Sequence, residues 1–317
     1  MIIVTGGAGF IGSNLVASLN DIGRTDIVVV DDLNDGTKCL NLADLMISDY
    51  LDKADLFNYL NLIEGNSVEA IFHLGACSAT TEWDGQFLMK NNYDFSKVLF
   101  HWCQDNLVPF IYASSASVYG LGESGFIEKK ACESPINAYA FSKLMFDRYV
   151  FSQNRQLKSQ VVGLRYFNVY GPRESHKDSM VSPAYSFFHQ IENTGIAKIF
   201  EGSHGYADGD HERDFIYVGD CVKVNLWFLK NSEKSGIFNV GTGSAASFNQ
   251  VCKEIINCVG YGSISYIPFP QHLERHYQSY TRADISALRK IGYDNAFCDI
   301  ESGIKNYCNT LISGGHR

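Results

Sequence analysis

The stretch Gly7-Ala8-Gly9-Phe10-Ile11-Gly12 reads G-x-G-x-x-G, and its setting constrains the fold more than any other feature of the chain. The apolar run Ile2–Thr5 leads into it, and the helix-like run Ser13–Leu19 leaves it. In a turn of this kind the first glycine permits the bend, the second lets a diphosphate approach the backbone, and the third lets helix and strand pack closely. The diphosphate then sits on the positive end of the helix dipole. A second strand-like run, Ile27–Val30, ends at Asp31, about 20 residues further on, where an acid meets a ribose hydroxyl. The turn is therefore expected to bind a dinucleotide through Gly7, Gly9, Phe10, Ile11 and Gly12, with Asp31 and Asp32 at the ribose. Asp31 favours a free 2′-hydroxyl and hence NAD, whereas Lys38 and Lys53 are near enough in sequence to neutralise the 2′-phosphate of NADP. The residues alone leave that choice open.

Strand-like runs recur at Ala70–His73, Phe110–Ser114 and Val161–Tyr166, with helix-compatible stretches between them. Such alternation predicts an α/β fold with a doubly wound parallel sheet. Past Tyr166 the rhythm loosens, then the strand-helix style resumes over Phe215–Leu229. This predicts a smaller α/β substrate-binding domain interleaved with the first: residues 1–167 and about 214–240 for the dinucleotide, about 168–213 and 241–317 for the substrate. A net charge of −9 argues against nucleic acid or an anionic membrane as partner. Nine cysteines without a C-x-x-C pair, in a chain with no basic-then-apolar leader, fit reduced thiols in the cytoplasm. No apolar run approaches the roughly 20 residues of a membrane span.

Tyr139 and Lys143 lie four apart in a helical stretch, Asn137–Phe151, and so share a face. A phenol of pKa about 10 becomes a base near neutrality only if its pKa falls by ~3 units, which takes roughly 4 kcal/mol of phenolate stabilisation. A neighbouring ammonium and an oxidised nicotinamide can supply it. Ser114 and Ser115 stand at the carboxyl edge of a strand, where a hydroxyl can hold the reacting oxygen.

Taken together, Gly7 to Gly12, Ser115 and Tyr139 with Lys143 resemble the extended short-chain dehydrogenase/reductase family of nucleotide-sugar epimerases, dehydratases and reductases, which has a Rossmann fold. Arg165-Tyr-Phe-Asn-Val-Tyr-Gly-Pro-Arg173 and Arg213-Asp-Phe-Ile-Tyr-Val218 extend the resemblance over essentially the whole chain. Dehydratases of that family carry an Asp-Glu pair after the catalytic hydroxyl; here Ala116 and Ser117 stand there, which disfavours elimination of water. Cys77-Ser-Ala-Thr-Thr-Glu-Trp-Asp-Gly85, Gly171-Pro-Arg-Glu-Ser-His-Lys-Asp-Ser-Met180, Phe200-Glu-Gly-Ser203 and Tyr266-Ile-Pro-Phe-Pro270 are similar to the branch that inverts C6 of an ADP-heptose for the lipopolysaccharide inner core.

That resemblance implies transient oxidation to a 6-keto intermediate and an NADP cofactor, with NAD the alternative. Inversion asks for two acid/base groups, and the resemblance implies Tyr139 and Lys177, with Ser115 and Lys143 assisting. Around the cofactor it places Leu74, Gly75, Ala76, Cys77, Ser78, Asn91, Lys143, Val169 and Lys177. Leu74 departs from the family pattern, in which an acid stands there. Around the sugar nucleotide it places Ser115, Asn168, Ser179, Ser186, Phe200, Glu201, Gly202, Ser203 and Tyr277, with Arg213 as the diphosphate clamp. It implies a cytoplasmic homo-oligomer, a homopentamer. The loop His204–Glu212 is longer than the family pattern and carries four candidate metal ligands, Asp208, Asp210, His211 and Glu212, yet their irregular spacing reads as a solvated lid, and no metal is expected. A UDP-hexose 4-epimerase or related reductase shares the same core residues, and a non-catalytic nucleotide sensor would have lost Tyr139.

Overall fold

The computed structural model describes residues 1–271 and 277–314. From the N-terminus run β1 (Ile2–Thr5), α1 (Phe10–Asp21), β2 (Ile27–Asp31), β3 (Asp49–Asp52), α2 (Leu56–Leu62), β4 (Ala70–His73), α3 (Gly85–Leu88), α4 (Phe95–Asp105), β5 (Phe110–Ser115), α5 (Ala138–Gln153) and β6 (Val161–Tyr166). Then follow β7 (Asn168–Tyr170), α6 (Pro183–Thr194), β8 (Ile196–Phe200), β9 (Glu212–Arg213), β10 (Phe215–Tyr217), α7 (Val218–Lys230) and β11 (Gly236–Val240). The last part holds β12 (Ala246–Ser247), α8 (Phe248–Val259), β13 (Ser263–Ile267), α9 (Ser286–Lys290) and α10 (Ile300–Ile312). Among the described residues no helix is long and apolar enough to cross a membrane.

Two compact units result. The first comprises Met1–Val118, Pro135–Arg165 and Val222–Phe238; the second comprises Tyr119–Ser134, Tyr166–Cys221 and the chain from Asn239 onward. The limits 1–167 and 214–240 expected for the dinucleotide unit are thereby corrected, because Tyr119–Ser134 packs in the second unit. Long-range bonds hold it there. Tyr119 Oη donates to Asn239 Oδ1 at 2.6 Å, Asn239 Nδ2 to Phe126 O at 2.7 Å, and Gln278 Nε2 to Gly120 O at 2.6 Å.

The first unit is built on a seven-stranded sheet of order β11-β6-β5-β4-β1-β2-β3. The pairs from β5 through β4, β1 and β2 to β3 are parallel, with Ile2 facing both Ile27 and Ala70 in register. β1, β2 and β4 are buried along their whole length, so they read as unbroken apolar runs. Strand order reverses between β1 and β4, which opens a crevice beyond their carboxyl ends. β3, Asp49-Tyr-Leu-Asp52, is the edge strand, and its charged ends fit an edge exposed to water. Ile3, Val28, Ile71, Leu99, Phe100, Phe110 and Phe146 form the core that holds the sheet to its helices.

The second unit packs α6, α8 and α10 around Phe187, Phe188, Ile191, Val251, Ile255, Ile304 and Tyr307. Its helices have strong end signals. Ser182 accepts from Tyr185 N with Pro183 in the first turn of α6, and Gly195 ends that helix in the left-handed region. Ser247 and Gln250 form a reciprocal capping box on α8. A cap of this kind is worth about 1 kcal/mol. β8 pairs in parallel with β13, from Ile196 opposite Ser263 to Phe200 opposite Ile267.

Candidate active site

Gly6 follows β1 and Gly75 follows β4, and the two backbones meet at the crevice. Gly6 has φ +68°, and a Cβ on it would lie 2.5 Å from Gly75 N. A Cβ on Gly12 would lie 2.1 Å from Gly6 O. The bend therefore belongs to Gly6 rather than Gly7, a correction of one residue. Two adjacent glycines made both phases readable, and Gly6-x-x-Gly9-x-x-Gly12 is the one the backbone uses. Gly7 instead lies against β2, where a Cβ would meet Val29 Cγ1 at 2.9 Å. Gly9 caps α1 without a side chain, and no acid stands in the first turn, so the helix start suits an anion.

A cavity of about 250 Å³ opens here, lined among others by Gly6, Asp31, Asp32, Lys38, Lys53, Gly75, Ala76, Cys77, Phe87 and Asn91. Asp31 is nearly buried, accepting from Ala8 N at 2.8 Å and from Lys38 Nζ at 3.0 Å. Lys53 Nζ pairs with Asp32 at 2.5 Å and holds its carboxyl below the usual range. A glycine bend, an open helix start and a buried acceptor acid at the next strand end fit the phosphates and a ribose of a dinucleotide. Phe10, Ile11, Leu74 and Ser78 do not line this cavity: Phe10 and Ile11 are in the first turn of α1, Leu74 N is tied to Thr5 O, and Ser78 is exposed. Val169 and Lys177 belong to the second unit.

Sequence reasoning overlooked a buried relay behind the cavity. Thr5 Oγ1 accepts from Gly75 N and bonds His73 Nδ1 at 2.6 Å, while His73 Nε2 bonds Ser96 Oγ at 2.8 Å. Ser96 Oγ donates to Asn92 O, and Asn92 Nδ2 donates to Cys77 O and to Ser142 Oγ. Ser142 Oγ in turn donates to Tyr139 O at 2.7 Å. Asn91 and Asn92 both sit in a π-helical turn, Met89–Asp94, which aims neighbouring side chains at different targets.

Tyr139 and Lys143 are both buried on α5. Lys143 Nζ donates to Ala113 O at 2.9 Å; burial pulls its ammonium down to about 8, with Asp147 opposing. Asp147, one turn further along, accepts from Tyr112 Oη, Ser114 Oγ and Arg165 Nε. Ser114 thus serves this buried ion pair, and Ser115 is the hydroxyl bonded to Tyr139. Ser117 Oγ donates to Ser115 Oγ at 2.8 Å. The lowered phenol expected of Tyr139 is not produced by the chain's own groups: burial pushes it up, and only the Ser115 hydrogen bond acts the other way. The i, i+4 spacing of Lys143 and Asp147 was the signal that could have found the latter.

The second unit holds a cavity of about 720 Å³ lined among others by Ser179, Ser186, Gln190, Lys198, Phe200, His211, Arg213, Phe248 and Tyr277. Arg213 is buried, with its guanidinium 5.0 Å from the Tyr277 ring and 5.6 Å from the Phe248 ring. Asn168, Glu201, Gly202 and Ser203 are not among the lining residues: Asn168 Oδ1 accepts from Thr281, Glu201 N is tied to Ile267 O, Gly202 N to Asp208, and Ser203 to His211. The His204–Glu212 loop is less solvated than expected. His211 is buried against Tyr277 and Phe269, and Asn249 bonds both Asp208 O and Asp210 Oδ1. Lys177 lies in a 3-10 segment, Ser175–Met180, where burial lowers its ammonium and Glu174 raises it.

Comparison with known proteins matches residues 2–241 to the model of the NAD dependent epimerase/dehydratase family. A curated ADP-L-glycero-D-manno-heptose-6-epimerase of Alkalilimnicola ehrlichii is 57% identical over 312 residues, covering 98% of this chain and 97% of that one. The crystal structure of the Helicobacter pylori ADP-L-glycero-D-manno-heptose-6-epimerase superposes with a TM-score of 0.85 at 32% identity, covering 98% of this chain and 96% of that one. A UDP-N-acetylglucosamine 4-epimerase from Methanobrevibacter ruminantium, in complex with UDP-N-acetylmuramic acid, gives 0.84 at 27% identity, covering 99% and 98%.

Proposed function

The chain belongs to the NAD dependent epimerase/dehydratase family, and from that membership we propose that it inverts C6 of ADP-D-glycero-β-D-manno-heptose to the L-glycero epimer, for the lipopolysaccharide inner core. The observation that carries this reading is the likeness to a heptose 6-epimerase along nearly the whole of both chains. Gly6, Gly12, Gly75 and Asp31 would hold a nicotinamide dinucleotide. When bound, it supplies a hydride acceptor that can return the hydride. Lys38 and Lys53, now paired with Asp31 and Asp32, would turn to the 2′-phosphate of NADP, since a dianion outcompetes a single carboxylate.

Tyr139 takes the proton of the C6 hydroxyl, with Ser115 holding that oxygen and opposing the rise that burial imposes on the phenol, and Lys143, tied to Ala113 O, assisting from the next turn of the helix. The 6-keto sugar reorients, and Lys177 serves the opposite face as the second acid/base group. Arg213 clamps the diphosphate beside Tyr277 and Phe200, with Ser179, Ser186, Asn168 and the Glu201–Ser203 backbone completing the sugar-nucleotide contacts. Val169 joins the cofactor contacts, and the enzyme works in the cytoplasm as a homopentamer.

Incubation of the purified protein with the ADP-heptose tests the whole reading. Conversion without net change in nucleotide absorbance is expected, and Tyr139→Phe should lower kcat by about 10²–10⁴ while dinucleotide binding persists. Turnover of UDP-galactose with no conversion of the heptose would overturn it. Nucleotide released on denaturation should be NADP; NAD alone would withdraw the roles of Lys38 and Lys53.

A further inference from the structure

The turn that carries Lys177 is built around a carboxylate for which the mechanism above has no use. Glu174 is fully buried, at 0% exposure. Its Oε1 accepts from Ser182 Oγ at 2.7 Å, Tyr307 Oη at 3.0 Å and Gly171 N at 3.3 Å, and its Oε2 accepts from Ser182 N at 2.5 Å. These donors come from the end of β7, the cap of α6 and the body of α10. Each of these partners is a donor, which is what an ionised carboxylate takes.

The backbone on either side is strained. Arg173 has φ +71° and Asp178 φ +48°, two residues with side chains in the left-handed region, and Lys177 N donates to Glu174 O at 3.0 Å between them. Such conformations persist only where the surroundings over-determine them. Four donors on one carboxylate do so. Yet neutral groups could pin a turn, and a buried charge is expensive to hold even when hydrogen-bonded. Burial pushes the Glu174 carboxyl up, and the Lys177 ammonium three residues on, with the Ser182 and Gly171 donors, acts to keep it charged.

We propose that Glu174 is the positioning residue of Lys177, fixing the turn that presents it and supplying the negative charge opposite its ammonium. This rests on the reading of Lys177 as the second acid/base group. Besides Lys177, the titratable groups facing Glu174 are Tyr185 of α6 and Tyr307 of α10, with Arg173, His176 and Asp178 flanking on the turn itself. Burial pushes both tyrosines up, so they stay neutral across an assay range. Glu174 favours charged Lys177, so its loss must move the Lys177 limb of the pH–rate profile to lower pH, whichever direction of proton transfer Lys177 performs.

The test is the pH dependence of kcat for ADP-heptose epimerisation in wild type, Glu174→Gln, Glu174→Asp and Lys177→Met. The limb absent from Lys177→Met should shift down by about one pH unit or more in Glu174→Gln and return toward wild type in Glu174→Asp, which keeps the charge. A limb that stays in place in a folded Glu174→Gln overturns the proposal. If that variant does not fold, Glu174→Asp is read alone: a carboxylate drawn back by one methylene should lower the limb by a smaller step, and no movement is again decisive against it. Should wild type not turn over the heptose, or Lys177→Met keep its rate, the functional reading fails separately. The Lys177 Nζ resonance of [15N]lysine-labelled protein, assigned by its absence in Lys177→Met, then titrates the pair without any activity. Equal midpoints in wild type and Glu174→Gln would refute the pairing.

Discussion

His73 shows how a single buried side chain couples the crevice to solution pH. It is clamped between Thr5 and Ser96, and burial pulls its imidazole down to about 3. An unfolded histidine titrates near 6.5. Between those values the unfolded chain binds a proton that the folded one does not, so stability present above about pH 6.5 is lost as pH falls toward 3. The slope is about 1.4 kcal/mol per pH unit inside that window. Urea unfolding at pH 7 and pH 5 should show a smaller loss for His73→Gln than for wild type; equal losses would mean His73 carries none of it. Neither His73 nor Glu174 was legible as a functional residue, because what defines them lies far off in sequence: Ser96 is 23 positions from His73, and Tyr307 is 133 from Glu174. The placement of Tyr139 and Lys143 on one helix and of Asp31 at a strand end was legible, since local spacing alone sets their face or strand end.

At the scale of elements, the strands that showed plainly in the sequence are those whose both faces are buried. β1, β4 and β6 begin and end where apolar runs do, whereas β3 is polar at both ends and offered no such run. α1 starts at Phe10, three residues before Ser13, because the glycine turn itself winds into the helix. The choice between Gly6 and Gly7 was a matter of phase that only φ decides. Gly6→Ala should therefore cost about 2 kcal/mol or more in stability and largely abolish dinucleotide binding, because a Cβ meets backbone at a left-handed position. Gly7→Ala should be milder, since its nearest neighbour is a valine methyl. Melting curves and NADP titrations of the two variants decide this, and a worse defect in Gly7→Ala would reverse the assignment.

For the whole molecule, each unit has its own core and its own cavity. Arg213→Ala should weaken ADP binding by about 10-fold or more, as loss of a charge-assisted hydrogen bond does, while leaving NADP affinity near wild type. Calorimetric titration with each ligand checks it; a matching loss of NADP affinity would contradict the separation. The chain assigns three segments to each unit and so passes between them five times. Neither unit is a contiguous stretch that a gene could lose, duplicate or trade in one event. Substitution and insertion within existing loops leave this threading intact, and the His204–Glu212 loop, with His211 turned inward beside Tyr277, is one place where they would act.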